Sequence, residues 1–222
     1  AAAFQNALYI RRAPHVRLAD LTLKGGGVAG AALYVHNSPS NQCYRLTCEQ
    51  SGGYGVYFNE ASGGGRMQNC LIFQNSDYAI RANVATNVAL ENCVTWGLLG
   101  VQVTSSGLIS LTNCIVRSSG GSGYALRRDT GGAIASDYNL YVVQSGAAIA
   151  YVGGVAYPTL ASYQEVSTSD WHSSVGDPLF ADTAATNFHL KSVNGRWTPG
   201  GFANDAVHSP AIDLGSPASD YT

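Results

Sequence analysis

A six-residue phrase occurs three times near the middle of the chain, as Met67-Gln68-Asn69-Cys70-Leu71-Ile72, Leu90-Glu91-Asn92-Cys93-Val94-Thr95 and Leu111-Thr112-Asn113-Cys114-Ile115-Val116. The copies begin 23 and then 21 residues apart. Self-similarity at that period marks a solenoid, because each repeat is one turn of chain that buries its apolar side only against its neighbours. An apolar-x-apolar triplet keeps the same beat over a longer stretch: Leu8-Tyr9-Ile10, Leu33-Tyr34-Val35, Val56-Tyr57-Phe58, Ile80-Arg81-Ala82, Val103-Thr104-Ser105, Leu126-Arg127-Arg128 and Ile149-Ala150-Tyr151. Their first residues lie 25, 23, 24, 23, 23 and 23 apart.

The phrases resolve into columns. Leu18, Cys43, Met67, Leu90 and Leu111 form one, Leu21, Leu46, Cys70, Cys93 and Cys114 a second, and Leu23, Cys48, Ile72, Thr95 and Val116 a third. The second and third are two residues apart and face inward together, whereas the three-residue step between first and second breaks strand alternation and requires a bend. Asp20, Arg45, Asn69, Asn92 and Asn113 stand at that bend. Asn tolerates left-handed backbone, and stacked Asn amides can bond along a ladder. Cys70, Cys93 and Cys114 continue a series begun by Leu21 and Leu46, so they are expected as core steps, with the disulfide state of the five Cys left open. Very short strands on such a repeat, separated by turns such as Gly25-Gly26-Gly27 and Gly63-Gly64-Gly65, make coils of a parallel β-solenoid. Leucine-rich repeats have a similar length, but their Leu-x-x-Leu-x-Leu-x-x-Asn spacing is missing. Seven coils would give a rod roughly 30 Å long.

Charge and hydropathy exclude several roles. Charged residues make up 12% of the chain, about half the usual share, and 12 Lys and Arg against 14 Asp and Glu leave no basic surplus for nucleic acid. No apolar run is long enough to span a membrane. Ala1 to Asn6 lacks the charged start and apolar core of a signal peptide, as expected of a processed product or fragment. No Cys/His cluster suggests a metal centre and no carboxylate cluster supports Ca²⁺, so no cofactor is expected.

The last third reads differently. Pro158, a Thr159 N-cap and Leu160, Tyr163 and Val166 at helical spacing predict a short helix over the open end of the rod. Ser136-Asp137-Tyr138-Asn139-Leu140, Gly176-Asp177-Pro178-Leu179-Phe180, Asn187-Phe188-His189-Leu190 and Ser209-Pro210-Ala211-Ile212-Asp213-Leu214-Gly215 follow, and the chain stops at Asp220-Tyr221-Thr222. With the coils, these segments resemble bacterial right-handed parallel β-helix repeat proteins of the pectate-lyase-like superfamily, of the exported or surface type. The resemblance implies an all-β, right-handed, single-stranded parallel β-helix of about seven coils over 1–152. It also implies a loop-rich C-terminal cap over 153–222, with a short helix and irregular strands wrapping the end. Extracellular or cell-surface localisation is implied too.

No catalytic residue set emerges. A β-helix lyase needs a base beside a cation, yet Lys24 and Lys191 are the only Lys, and Arg127-Arg128-Asp129 is a single-coil cluster. Glu60, Glu91 and Asp129 fall on different coils, and His15, His36, His172, His189 and His208 are isolated in sequence. The outward middle residues of the triplets form a column, Tyr9, Tyr34, Tyr57, Arg81, Thr104 and Arg127, flanked by Arg11, His36, Asn59 and Asn83. Tyr in line followed by Arg suits sugar-ring stacking, hydroxyl recognition or a protein interface. Aromatic stacking alone can also stabilise a parallel sheet. The expectation is a non-catalytic structural or adhesive module that binds polysaccharide or assembles end to end as a homo-oligomer. A polysaccharide lyase or glycosidase acting on an acidic polysaccharide is the competing class.

Overall fold

The computed structural model describes residues 5–218; the extreme ends of the two expected ranges, including Ala1 to Phe4 and Asp220-Tyr221-Thr222, lie outside it. Seven parallel strands, from Leu8–Arg11 to Ala148–Val152, form the first sheet, and Val155–Tyr157 adds an antiparallel eighth. Six strands from Arg17–Ala19 to Ala133–Asp137 form the second sheet, and seven from Thr22–Lys24 to Ser174–Val175 form the third. The order of strands in each sheet is the order of coils. Six coils are complete and a seventh is partial.

The three columns read from sequence hold. Leu18, Cys43, Met67, Leu90 and Leu111 pair in register, as do Leu23, Cys48, Ile72, Thr95 and Val116. The bend between them is left-handed at every step, with φ of 57° at Asp20, 49° at Arg45, 57° at Asn69, 51° at Asn92, 57° at Asn113 and 58° at Tyr138. One turn of αL backbone swings the next residue inward and starts the third sheet in a new direction. Leu46, Cys70, Cys93 and Cys114 are therefore buried, though Leu21 on the first coil is exposed. All five Cys are free and buried. Burial pushes the Cys43 thiol up to about 12 and holds Cys48 and Cys93 well above the usual range. These thiols are core atoms rather than nucleophiles.

A second corner, within the first sheet, is not apparent in the triplets. Ala32, Gly55, Ala79, Gly100 and Ala125 stack at it, buried and small. A Cβ at Gly100 would lie 2.1 Å from the Ala125 carbonyl oxygen, and one at Gly55 would lie 2.3 Å from the Ile72 side chain. This corner corrects two triplets. Arg81 pairs with Gln102, so the fifth coil's triplet is Val101-Gln102-Val103, and Thr104 sits beside Asn83 instead of in the Tyr column. Arg127 pairs with Tyr151, so the last triplet is Ala150-Tyr151-Val152.

Beyond residue 152 the chain does two separate things. Helix α1, Leu160–Ser167, is capped by Thr159 in a reciprocal box with Ser162 and buries Tyr163 against the core at the end of the rod. Asp170 follows, fully buried, and replaces the first-column residue of the partial coil: its N–H donates to the Ser136 carbonyl at 2.7 Å. Its carboxylate accepts from Ser136 Oγ, from Tyr141 Oη at 2.8 Å and from Ser173 Oγ at 2.6 Å. The remaining segment does not sit over the end. It runs back along the flank of the third sheet, where Phe180 and Phe188 pack on Val94, Trp96, Ile115 and Leu140. Asp177 and Asp182 cap its turns by accepting from the N–H groups of Leu179, Ala184 and Ala185.

Candidate functional site

The outer face of the first sheet carries a dense set of aromatic and polar side chains. Parallel in-register pairing puts every fourth or fifth ångström of the rod under the same strand position. Like residues therefore stack. Tyr9 and Tyr34 lie 5.1 Å apart at 15°, Tyr34 and Tyr57 4.9 Å apart at 13°, and the Arg81 guanidinium sits 5.1 Å over the Tyr57 ring. The column then continues through Gln102, Arg127 and Tyr151, with Arg127 5.0 Å over Tyr151.

Stacking has a consequence for what this column can hold. Tyr34 is covered on both ring faces by other rings, and Tyr57 by a ring and a guanidinium. Sugar stacking on ring faces, expected from the sequence, is thus not available in the middle of the column; ring edges and hydroxyls remain, with Tyr34 Oη accepting from Asn59 and Tyr57 Oη donating to Asn59 Oδ1 at 3.4 Å. Burial raises the phenol pKa of Tyr34 and Tyr57, which keeps both as neutral hydroxyl groups.

Beside it runs a second, polar column whose register is Arg11, His36, Asn59, Asn83 and Thr104. Asn59 donates to Tyr34 Oη at 2.8 Å, Asn83 donates to Asn59 Oδ1 at 2.8 Å, and Thr104 donates to Asn83 Oδ1 at 2.9 Å. His36 lies 3.3 Å from Glu60. Eight sequence-nominated residues, Tyr9, Arg11, Tyr34, His36, Tyr57, Asn59, Arg81 and Arg127, are therefore brought onto one face.

The small-residue corner adds a third column that the triplets miss. It places Tyr54, Tyr78 and Tyr124 three residues before the triplet centre, Tyr54 and Tyr124 half-buried and Tyr78 buried among its neighbours. Tyr54 contacts Tyr57 and its hydroxyl accepts from Arg81; Tyr78 Oη accepts from Arg127 at 3.4 Å; Tyr124 packs on Tyr151. Asp129 completes the cluster, with Oδ1 2.9 Å from Arg127 Nε and Oδ2 3.0 Å from Gln102 Nε2. A Tyr followed by Gly or Ala and an apolar residue, as in Tyr54-Gly55-Val56, Tyr78-Ala79-Ile80 and Tyr124-Ala125-Leu126, is the signal that could have found it.

The nominated ladder residues lie elsewhere, at the corner between the second and third sheets. Asn113 donates to Asn92 Oδ1 at 3.1 Å, and the C-terminal segment ties down the ladder through Ser216 N–H to Asn113 Oδ1 at 2.7 Å. Cys70, Cys93 and Cys114 point inward from the next position and contact carbonyl oxygens of their own and neighbouring coils. Among the described residues, no three His, Cys, Asp or Glu side chains group as metal ligands, and no helix is long and apolar enough to cross a membrane.

Comparison with the curated proteins finds no match. The family model for the right-handed β-helix region matches residues 3–162, which covers the six complete coils, the first-sheet face and the first residues of α1. With its three parallel sheets of stacked coils, this chain belongs to the right-handed β-helix family.

Proposed function

We propose that the protein is a non-catalytic module, secreted or displayed at a cell surface, that holds a hydroxyl-rich polymer, a glycan chain, along the outer face of its first sheet. One observation carries this reading: phenol, amide, imidazole and guanidinium groups line that face in unbroken columns parallel to the rod axis. A repeating polymer laid along the axis would meet a repeating set of hydrogen-bonding edges. The Arg and Asp side chains are largely engaged with neighbours, which rigidifies the face and lowers the entropy lost on binding.

The test is calorimetric titration of the chain with hexasaccharides of β1,4-glucose, α1,4-glucose and galacturonic acid. At least one should bind, and a Tyr34→Ala, Tyr57→Ala double variant with an unchanged circular dichroism spectrum should lose tenfold or more, about 1.4 kcal/mol. Undiminished binding by the folded variant would overturn the proposal.

A second reading, a carbohydrate-active enzyme, is favoured by the Tyr78–Arg127–Asp129 grouping on the same face. Against it, burial raises the phenol pKa of Tyr54 and Tyr78, where a base would need it lowered. New reducing ends or unsaturated products from any of the three polymers, abolished by Asp129→Asn, would establish the enzyme.

A further inference from the structure

Between the Asn corner and the C-terminal segment lies an open cavity of about 440 Å³, within the ~300–1,000 Å³ range of small-molecule sites. Leu71 and Val94 make its apolar floor, with Asn69 and Asn92 beside them, and its far wall comes from the segment Ala185 to His189 and from Trp197. None of the lining side chains is an Asp, Glu, Lys or Arg. An anionic or cationic ligand would lose its hydration there with no opposite charge in return.

Hydrogen bonding within the chain leaves a specific set of groups for a ligand. His189 Nδ1 lies 2.8 Å from Asn187 Oδ1, so Nδ1 carries the proton and Nε2 is left to accept. Asn187 Oδ1 also receives the His189 N–H at 3.2 Å, which leaves the Asn187 amide nitrogen to donate. Asn92 Oδ1 is taken by Asn113, leaving the Asn92 amide nitrogen likewise. Asn69 is exposed at the rim. Trp197 is 54% exposed and its ring lies 6.0 Å from that of His189, so this indole, unlike the stacked Tyr rings, is not sandwiched between other rings.

Uncharged donors and an acceptor around an apolar floor, with an aromatic wall, match a ligand that has hydroxyl groups on its rim and C–H groups on its face. We propose that this cavity binds a neutral sugar of one or two pyranose rings, with Trp197 against the ring face and Asn69, Asn92, Asn187 and His189 on the hydroxyl groups. The site is separate from the first-sheet face and does not depend on it.

The experiment is titration of the full chain, followed by calorimetry and tryptophan fluorescence, with glucose, galactose, mannose, N-acetylglucosamine and the β1,4- and α1,4-linked glucose disaccharides. Galacturonic acid serves as the charged control. One or more neutral sugars should saturate a single site, galacturonate should bind at least tenfold more weakly, and Trp197→Ala and His189→Ala should each weaken binding about tenfold. Tyr34→Ala with Tyr57→Ala should leave it unchanged. Absence of saturable binding by every neutral sugar, equal binding of galacturonate, or full affinity in Trp197→Ala would overturn the proposal. If Trp197→Ala proves unstable, Asn69→Gly, which keeps the left-handed corner and removes the amide, replaces it: at least threefold weaker binding is expected, and unchanged affinity overturns.

Discussion

Asn113 shows how one side chain can serve backbone, ladder and strap together. Its φ of 57° is tolerated by Asn, its amide donates to Asn92, and its oxygen accepts from Ser216. Asn113→Val places a β-branched residue in αL and removes both bonds, so a loss of about 2–3 kcal/mol in urea unfolding is expected. Asn113→Gly, which suits αL, should lose less. The column of left-handed residues was legible because Asn and Asp occupy four of its first five positions; Arg45 and Tyr138 adopt the same φ and are recognisable only by counting from their neighbours. The buried thiols make a pH prediction. Cys43 is held near 12 when folded but titrates near ~8.5 when unfolded. Above ~8.5 the unfolded chain therefore binds fewer protons than the native one, and stability falls as pH rises from there through about 12. Urea midpoints measured from pH 7.5 to 10.5 should decline. A thiol reagent at pH 8 should modify none of the Cys in the native protein and all five in denaturant.

At the scale of elements, the first-sheet strands show where sequence pattern runs out. A period-2 strand offers overlapping frames, and Val101-Gln102-Val103-Thr104 fits either apolar-x-apolar start. What selects the frame is Gly100, which must take the place of Ala79 and Ala125 because no Cβ fits against the next coil's carbonyl. Gly100→Ala should accordingly destabilise more than an exposed glycine change, by several kcal/mol, with the shift read from the thermal midpoint. The aromatic columns were half legible: their central members follow from alternation, while Tyr54, Tyr78 and Tyr124 depend on a corner encoded only by small residues. The end of the rod was legible as a helix from Thr159 and its spacing, but not the keystone beside it. Asp170 is separated from Ser136 by 34 residues and carries no local pattern. Asp170→Ala leaves Ser136, Tyr141 and Ser173 without their shared acceptor, at an expected cost of about 3 kcal/mol or more, and hydrogen exchange should quicken first in α1 and the last coil.

At the scale of the molecule, the rod presents two different sides and a closed end. One is the in-register aromatic and polar face; another is covered by the chain's own returning segment; the end near Tyr163 is closed by α1. Residue periodicity determined the coils because neighbouring turns bury the same positions. It could not determine which way the non-repetitive last third would fold, since that depends on Phe180 and Phe188 finding Trp96 and Ile115 across the third sheet. The most direct test of the account is hydroxyl-radical footprinting of the chain, with and without whichever hexasaccharide it binds. Protection of Tyr9, Tyr34, Tyr57 and Tyr54 together, in proportion to ligand, is the result expected of a polymer lying along the first sheet. Protection confined to other residues, with these four oxidised equally in both samples, would contradict it.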